Sequence, residues 1–170
     1  MEYDSKEEEV FDAWLHEAEK ANIVTGIRYH PEPFLLSRRV SMKVKEILKT
    51  KTKIIDKFLL HPHKYTTDFS FSISSRNLSN FFITYSGVCF VDIKGSFSKY
   101  GDQKQFSINQ KWVYDKYGIY INKVVPEKLF TRTFLPESCR LTPKTRKHVK
   151  KYIGCRNIKD FMIHEGLKDT

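Results

Sequence analysis

Apolar positions along the chain repeat with two different periods, and those periods divide it into elements. From Ser5 to Ala21, Val10, Phe11, Trp14, Leu15 and Ala18 recur at helical spacing, which predicts an amphipathic helix with one buried stripe. Ser5 and Glu8 have the spacing of a capping box at its start, and Asn22 and Gly26 close it. Ile27 to Leu36 reads as strand material interrupted by Pro31 and Pro33. From Tyr65 to Phe71 aromatic residues alternate with small polar ones, the period of a strand. Ser74 to Asn80 supplies a turn, and Phe81 to Lys94 the returning strand or strands, with Gly87 marking a bend. A second helix is predicted over Phe106 to Lys116, with Ile108, Trp112 and Val113 apolar and Gly118 at its end. Ile119 to Val125 is again strand, and a strand, helix, strand unit of this kind should be parallel and right-handed.

Other stretches carry weaker periods. Arg38 to Lys57 is rich in lysine, with Val44, Ile47, Leu48, Ile54, Ile55 and the following Phe58 in a broken helical period; it reads as a helix, a mobile arm, or both by turns. Ser96 to Gln105 is polar and expected to be mobile. Leu141 to Tyr152 is a basic helix candidate with Pro143 near its start, and the last residues read as a loose tail. The expected class is α/β: a mixed central β-sheet flanked by helices. It would form one domain over residues 1–137, with a basic insertion at about 37–64 and a basic extension over 138–170.

Charge adds a partner to this picture. The 170 residues carry a formal net charge of +10, with a pI near 9.4, which points to an anion: nucleic acid first, an anionic membrane surface second. Acids crowd the beginning, from Glu2 to Glu19, whereas bases crowd Arg38 to Lys64 and Arg140 to Lys159. Lys43, Lys45, Lys49, Lys51 and Lys53 in the first basic stretch, and Lys144, Arg146, Lys147, Lys150 and Lys151 in the second, are candidate phosphate contacts; simple solvated faces fit the same pattern. No apolar run approaches the roughly 20 residues of a membrane span, and the acidic start lacks a signal peptide's order, so a soluble cytoplasmic chain with no membrane partner is expected. Cys89, Cys139 and Cys155 are too widely spaced for a Cys-x-x-Cys pair and indicate neither a disulfide framework nor a zinc site. His61-Pro62-His63 has no third soft ligand nearby and is read as loop.

The chemistry concentrates in Val91-Asp92-Ile93-Lys94-Gly95. On a strand, Asp92 and Lys94 share one face, roughly 6 to 7 Å apart, while Val91 and Ile93 point to the other. Asp68 interrupts the Tyr65 to Phe71 strand, and an antiparallel pairing would bring it beside Asp92. Two converging carboxylates repel unless a cation lies between them, and a divalent ion with oxygen ligands is such a cation. Glu8 borders the buried face of the first helix, between Glu7 and Glu9; all three also complement the positive end of a helix. Gln110 and Tyr114 lie four apart on one face of the second helix.

A helix with Ser5-x-x-Glu8, a strand with Tyr65-x-x-Asp68-Phe69, a strand with Asp92-x-Lys94-Gly95, then the helix with Gln110-x-x-x-Tyr114 and a further strand: this order resembles the PD-(D/E)XK, or restriction-endonuclease-like, nuclease superfamily. The likeness is greatest to small phage-type endonucleases and Holliday junction resolvases, and it spans Ser5 to Val125. Thr67 stands where the family name has proline, Asp92 replaces the commoner glutamate, and Glu9 competes with Glu8 as the helix acid. The resemblance implies a metal-dependent DNA endonuclease of phage DNA processing or recombination, working in a bacterial or phage-infected cell on double-stranded or branched DNA. It implies Mg2+ or Mn2+ held by Asp68, Asp92 and the Ile93 carbonyl, with Glu8 acting through a second ion or a water. Lys94 would orient the hydroxide or stabilise developing charge, Gln110 would place the water, lysine or phosphate, and Tyr114 would contact nucleic acid or pack beneath the site. A homodimer would suit paired cuts, with the aromatics from Phe69 to Phe82 as interface or, equally, as core. The competing reading is a non-catalytic nucleic-acid-binding module that retains the nuclease fold. A membrane-surface domain would need a basic helix with a continuous apolar face, and that face is broken between Arg38 and Lys64.

Overall fold

The computed structural model describes residues 2–95, 100–142 and 144–164. Its first element, α1 (Lys6–Lys20), is capped by Ser5, whose hydroxyl accepts the Glu8 N–H at 3.2 Å. The stripe of Phe11, Trp14, Leu15 and Ala18 is fully buried, as the period of the sequence required. β1 (Val24–Tyr29) and β2 (Phe34–Ser37) follow, separated by the segment that holds Pro31 and Pro33.

Between residues 38 and 60 the structure corrects the sequence reading. Here stand β3 (Val40–Ile47) and β4 (Thr52–Leu60), paired antiparallel from Val40 opposite Leu60 to Ile47 opposite Thr52. Neither a helix nor an irregular arm is present. Val40, Met42 and Val44 alternate with polar residues, and the β-branched Ile55 and Thr52 stand opposite Val44 and Ile47, so strand propensity outweighs the helix propensity of the lysines. The turn closes with the Leu48 N–H donating to the Lys51 carbonyl at 2.9 Å. β5 (His63–Tyr65) then pairs back onto β2.

β6 (Phe69–Ile73), a helical turn α2 (Arg76–Ser79), and β7 (Val88–Ile93) come next, so only the last part of Phe81 to Lys94 is regular strand. Gly87, at φ +79°, takes the left-handed conformation that lets the chain turn into β7. α3 (Tyr100–Tyr117) starts earlier than its apolar residues indicated. Residues 100–105 are helical rather than loose, whereas Ser96 to Lys99 lie outside the described residues. Gly118 at φ +68° ends it, and β8 (Ile121–Val124) returns parallel to β7.

The main sheet is mixed, in the order β1-β6-β7-β8: antiparallel across the first two pairings and parallel across the last. One face carries Phe69, Phe71, Cys89, Val91 and Ile93 against α1. The other carries Phe90 and Ile121 against α3, Phe34, Leu36 and Tyr65. Three layers result, with the sheet in the middle. Among the described residues no helix is long and apolar enough to cross a membrane.

The carboxyl-terminal part closes the α1 layer. α4 (Pro126–Arg132) and α5 (Glu137–Arg140) are followed, in the described residues, by a basic turn and a single 3-10 turn at Lys150–Tyr152, not by one α-helix over Leu141 to Tyr152. The Thr142 hydroxyl accepts the Lys147 N–H at 3.2 Å, Arg146 sits at φ +53°, and the Val149 N–H reaches the Arg140 carbonyl; side-chain and turn bonds of this kind compete with helix. Residues 158–164 are likewise no loose tail but a helix, α6 (Ile158–His164), while 165–170 lie outside the described residues. Phe161 is fully buried in the same core as Trp14, with its ring 5.7 Å from that of Phe134. Phe161→Ala should therefore cost about 3 to 5 kcal/mol, read as a lower urea midpoint of a single transition. An unchanged midpoint would mean that α6 is not part of the cooperative unit.

Candidate active site

The residues that gather at one end of the sheet come from α1, β1, β5, β7 and the residue before β6. β6 and β7 run antiparallel with Phe69 opposite Val91, which sets Asp68 beside Asp92. Asp68 Oδ2 accepts the Ile93 N–H at 2.5 Å, so the half-buried carboxylate is held by the backbone of the strand that carries Asp92. Asp92 is only 4% exposed. Its Oδ1 accepts the Tyr65 hydroxyl at 2.9 Å, and its Oδ2 pairs with the Lys94 ammonium, as two residues on one strand face should. Lys94 Nζ also lies 5.8 Å from the centre of the Phe106 ring, so the first apolar turn of α3 packs beside the ammonium.

Glu8 enters from α1. It is buried where Glu9 is exposed, which separates the two acids that spacing alone left open. Its carboxylate accepts the Ser5 hydroxyl at 2.8 Å, the Tyr29 hydroxyl at 2.8 Å and the Asp4 N–H at 3.3 Å. Gly95 completes the contact between α1 and the end of β7: a Cβ there would stand 3.3 Å from Glu7 Oε1.

The electrostatics are lopsided. Burial, then the Asp92 charge, push the Asp68 carboxyl up to about 7, with Glu8 adding to the rise and the Ile93 N–H and Lys94 opposing it. Tyr65 is driven upward by burial and by Asp92, and Tyr29, by partial burial and its bond to Glu8, to about 12; both phenols stay protonated donors. The site holds more negative charge than Lys94 offsets. Asp68 and Asp92 offer an all-oxygen donor set, the kind that a hard divalent cation takes. Glu8 is not drawn into a three-ligand set with them. Among the described residues the one set of three with all ligand atoms within 4.8 Å is Asp4, Glu8 and His30, in which Asp4 and His30 are exposed.

No family model, curated protein or solved structure matches this chain.

The other expected residues are not among the hydrogen-bond and ion-pair partners of Asp68 and Asp92. Gln110 donates its amide to the Ile121 carbonyl at 2.6 Å, and Ile121 is paired with Phe90, so its observed bond ties α3 to β8. Tyr114 is 59% exposed on α3. Lys43, Lys45, Lys49, Lys51 and Lys53 stand exposed on the β3–β4 ribbon, which leaves the α3 layer. Lys144, Arg146, Lys147, Lys150 and Lys151 are exposed on the carboxyl-terminal turn over α1, where Lys151 pairs with Glu127. The two basic patches therefore stand on different layers. Tyr65 and Tyr29 escaped the sequence reading as site residues. Tyr65 was visible in the Tyr-x-x-Asp spacing, whereas Tyr29 gave no local signal, because its partner lies 21 residues away.

Proposed function

We propose that the chain is a metal-dependent DNA endonuclease of the restriction-endonuclease-like kind, hydrolysing phosphodiester bonds in phage DNA processing or recombination. The observation that carries this reading is the position of Asp68, one residue before β6, with its carboxylate on the Ile93 N–H next to Asp92 of β7, and Lys94 on the Asp92 carboxylate. The order of elements supports it too: a helix with a buried acid, a strand entered from Asp68, a strand bearing Asp92, a helix and a parallel strand, the strands in one mixed sheet. Asp68 and Asp92 would hold Mg2+ or Mn2+, which when bound lowers the pKa of a water and polarises the phosphate.

The chain's own groups do the rest. The Ile93 N–H and the Tyr65 hydroxyl fix the two aspartates by one oxygen each. Lys94 brings its ammonium to this strand face and offers its charge to the oxygens that become more negative as water adds to phosphorus. The water oxygen bonds to phosphorus and gives up a proton to solvent, the bond to the 3′ oxygen breaks, and that oxygen takes a proton from solvent, so that a 5′-phosphate and a 3′-hydroxyl remain. Glu8, oriented by Tyr29 and Ser5, keeps negative charge beside Asp68.

The test is cleavage of supercoiled plasmid and of a synthetic four-way junction with Mg2+, with Mn2+ and with EDTA, comparing the native chain with Asp92→Ala. Cutting that requires metal and Asp92 is the expected result, and preference for the junction would place the chain among the resolvases. A native chain that binds both DNAs yet cuts neither with either metal is a binding module instead.

A further inference from the structure

The β3–β4 ribbon is the largest feature that the carboxylate site does not use. Between Val40 and Leu60 only Val44 and Ile55 are even half-buried, and Ile47 and Ile54 are 79% and 69% exposed. A lone two-stranded hairpin is marginal in water, and apolar side chains on both of its faces mark a surface that a partner covers. Charge identifies the partner's sign. Lys43 stands opposite Asp56 and Lys53 opposite Glu46, whereas Lys45 and Lys57 face Ile54 and Met42, and Lys49 and Lys51 occupy the turn. The ribbon of a second copy would bring the same surplus of cations, so a polyanion complements it and a like ribbon does not.

Three further observations narrow the polyanion. From Val40 to Leu60 the one aromatic residue is Phe58, whose ring centre lies 5.2 Å from the Arg39 guanidinium and 4.5 Å from the His61 ring, so the ribbon carries no row of open rings on which the bases of a single strand could stack. A two-stranded ribbon fits the B-form major groove, about 12 Å wide, and strand β4 at about 3.3 Å per residue is roughly 30 Å long, close to one helical turn. Every cation in this stretch is lysine. Lysine meets phosphate as a point charge and lacks the planar fork with which arginine reads guanine.

We propose that the β3–β4 ribbon lies in the major groove of a DNA duplex and grips its phosphates through Lys45, Lys49, Lys51 and Lys57 without reading base sequence. The proposal rests on the reading of the chain as acting on DNA, and extends it to the manner of binding. The ribbon contributes affinity for duplex DNA, and selectivity for a sequence is not among its contributions.

The test measures binding of the full chain in EDTA by fluorescence anisotropy. The probes are two unrelated duplexes of about 30 base pairs, roughly three turns, one strand alone, and phosphatidylserine vesicles. Both duplexes should bind alike and more tightly than the single strand. The Lys45→Ala/Lys49→Ala/Lys51→Ala/Lys57→Ala variant, all exposed sites, should bind duplex at least about tenfold more weakly, with a log–log salt slope shallower by about 3. Arginine at the same four positions should retain the affinity. The proposal is overturned if the alanine variant binds as the native chain does, if the single strand binds as well as duplex, or if one sequence is clearly preferred. Tighter binding to the vesicles would assign the ribbon to a membrane surface and overturn it as well. Binding through the four lysines without cutting under Mg2+ or Mn2+ would remove the hydrolytic reading and keep the ribbon; cutting of sub-saturating duplex at equal rates by native and alanine chains would do the reverse.

Discussion

Lys94→Met should slow cleavage at least about 10²-fold, the scale of losing one preorganised charged donor at a reacting phosphate, and should also destabilise the metal-free protein. Asp92 is 4% exposed, and its Oδ2 has the Lys94 ammonium as partner; without it a buried carboxylate is left with the Tyr65 hydroxyl on the other oxygen. Breaking such a pair from one side costs about 3 to 5 kcal/mol, whereas removing both charges costs much less. The double variant Asp92→Asn/Lys94→Met should therefore recover most of the stability lost in Lys94→Met and none of the activity. Urea melts without metal, set beside plasmid cleavage with Mg2+, separate the two effects. A double variant as unstable as the single one would show that Lys94 contributes packing against Phe106 rather than charge.

Asp68→Asn should move stability the other way. The ordinary aspartate value is 3.8, and burial with the neighbouring Asp92 charge raises it to about 7 in the folded chain. A raised carboxyl means that the native state holds its proton when the unfolded state has lost it. Stability then falls as pH rises from about 4 to about 7 and stays lowered above, by a few kcal/mol. The substituted side-chain amide would still accept the Ile93 N–H but carries no charge. The variant should melt higher than the native chain at pH 8 and at about the same temperature near pH 4. Addition of Mg2+ at pH 8 should raise the native melting temperature and leave that of Asp68→Asn nearly unchanged, together with loss of cleavage. Equal melting curves at pH 8 without metal would refute the charge crowding, and equal Mg2+ responses would remove Asp68 as a ligand.

The parts of this arrangement visible in the sequence are those set by local rules. The α1 stripe and its Ser5 cap follow from helical period and capping, and the placing of Asp68 beside β7 from the antiparallel pairing of the strands that follow and carry the two aspartates. The helix after β7 and its parallel strand were legible for the same reason. The ribbon was not, because its lysines weigh toward helix and no buried face enforces an alternating pattern. α6 was also hidden: a short helix has few apolar positions to count, and Phe161 gains its meaning only from the rings of residues far earlier in the chain. Nor does spacing reveal that Gln110 would spend its amide on the Ile121 carbonyl, a bond that depends on how α3 leans against β8.

The order in which the chain leaves the ribosome bears on this site. Every acid, tyrosine and lysine gathered there has been synthesised by residue 95, yet at that stage β7 is an open edge, since its neighbour β8 lies beyond α3. Parallel pairing across a helical crossover closes slowly compared with a hairpin, and an apolar edge such as Val91 and Ile93 recruits other chains while it waits. A nascent chain halted near Gly95 thus holds all the charged groups of this cluster while β7 is still an exposed edge, and aggregation is the fate its topology favours.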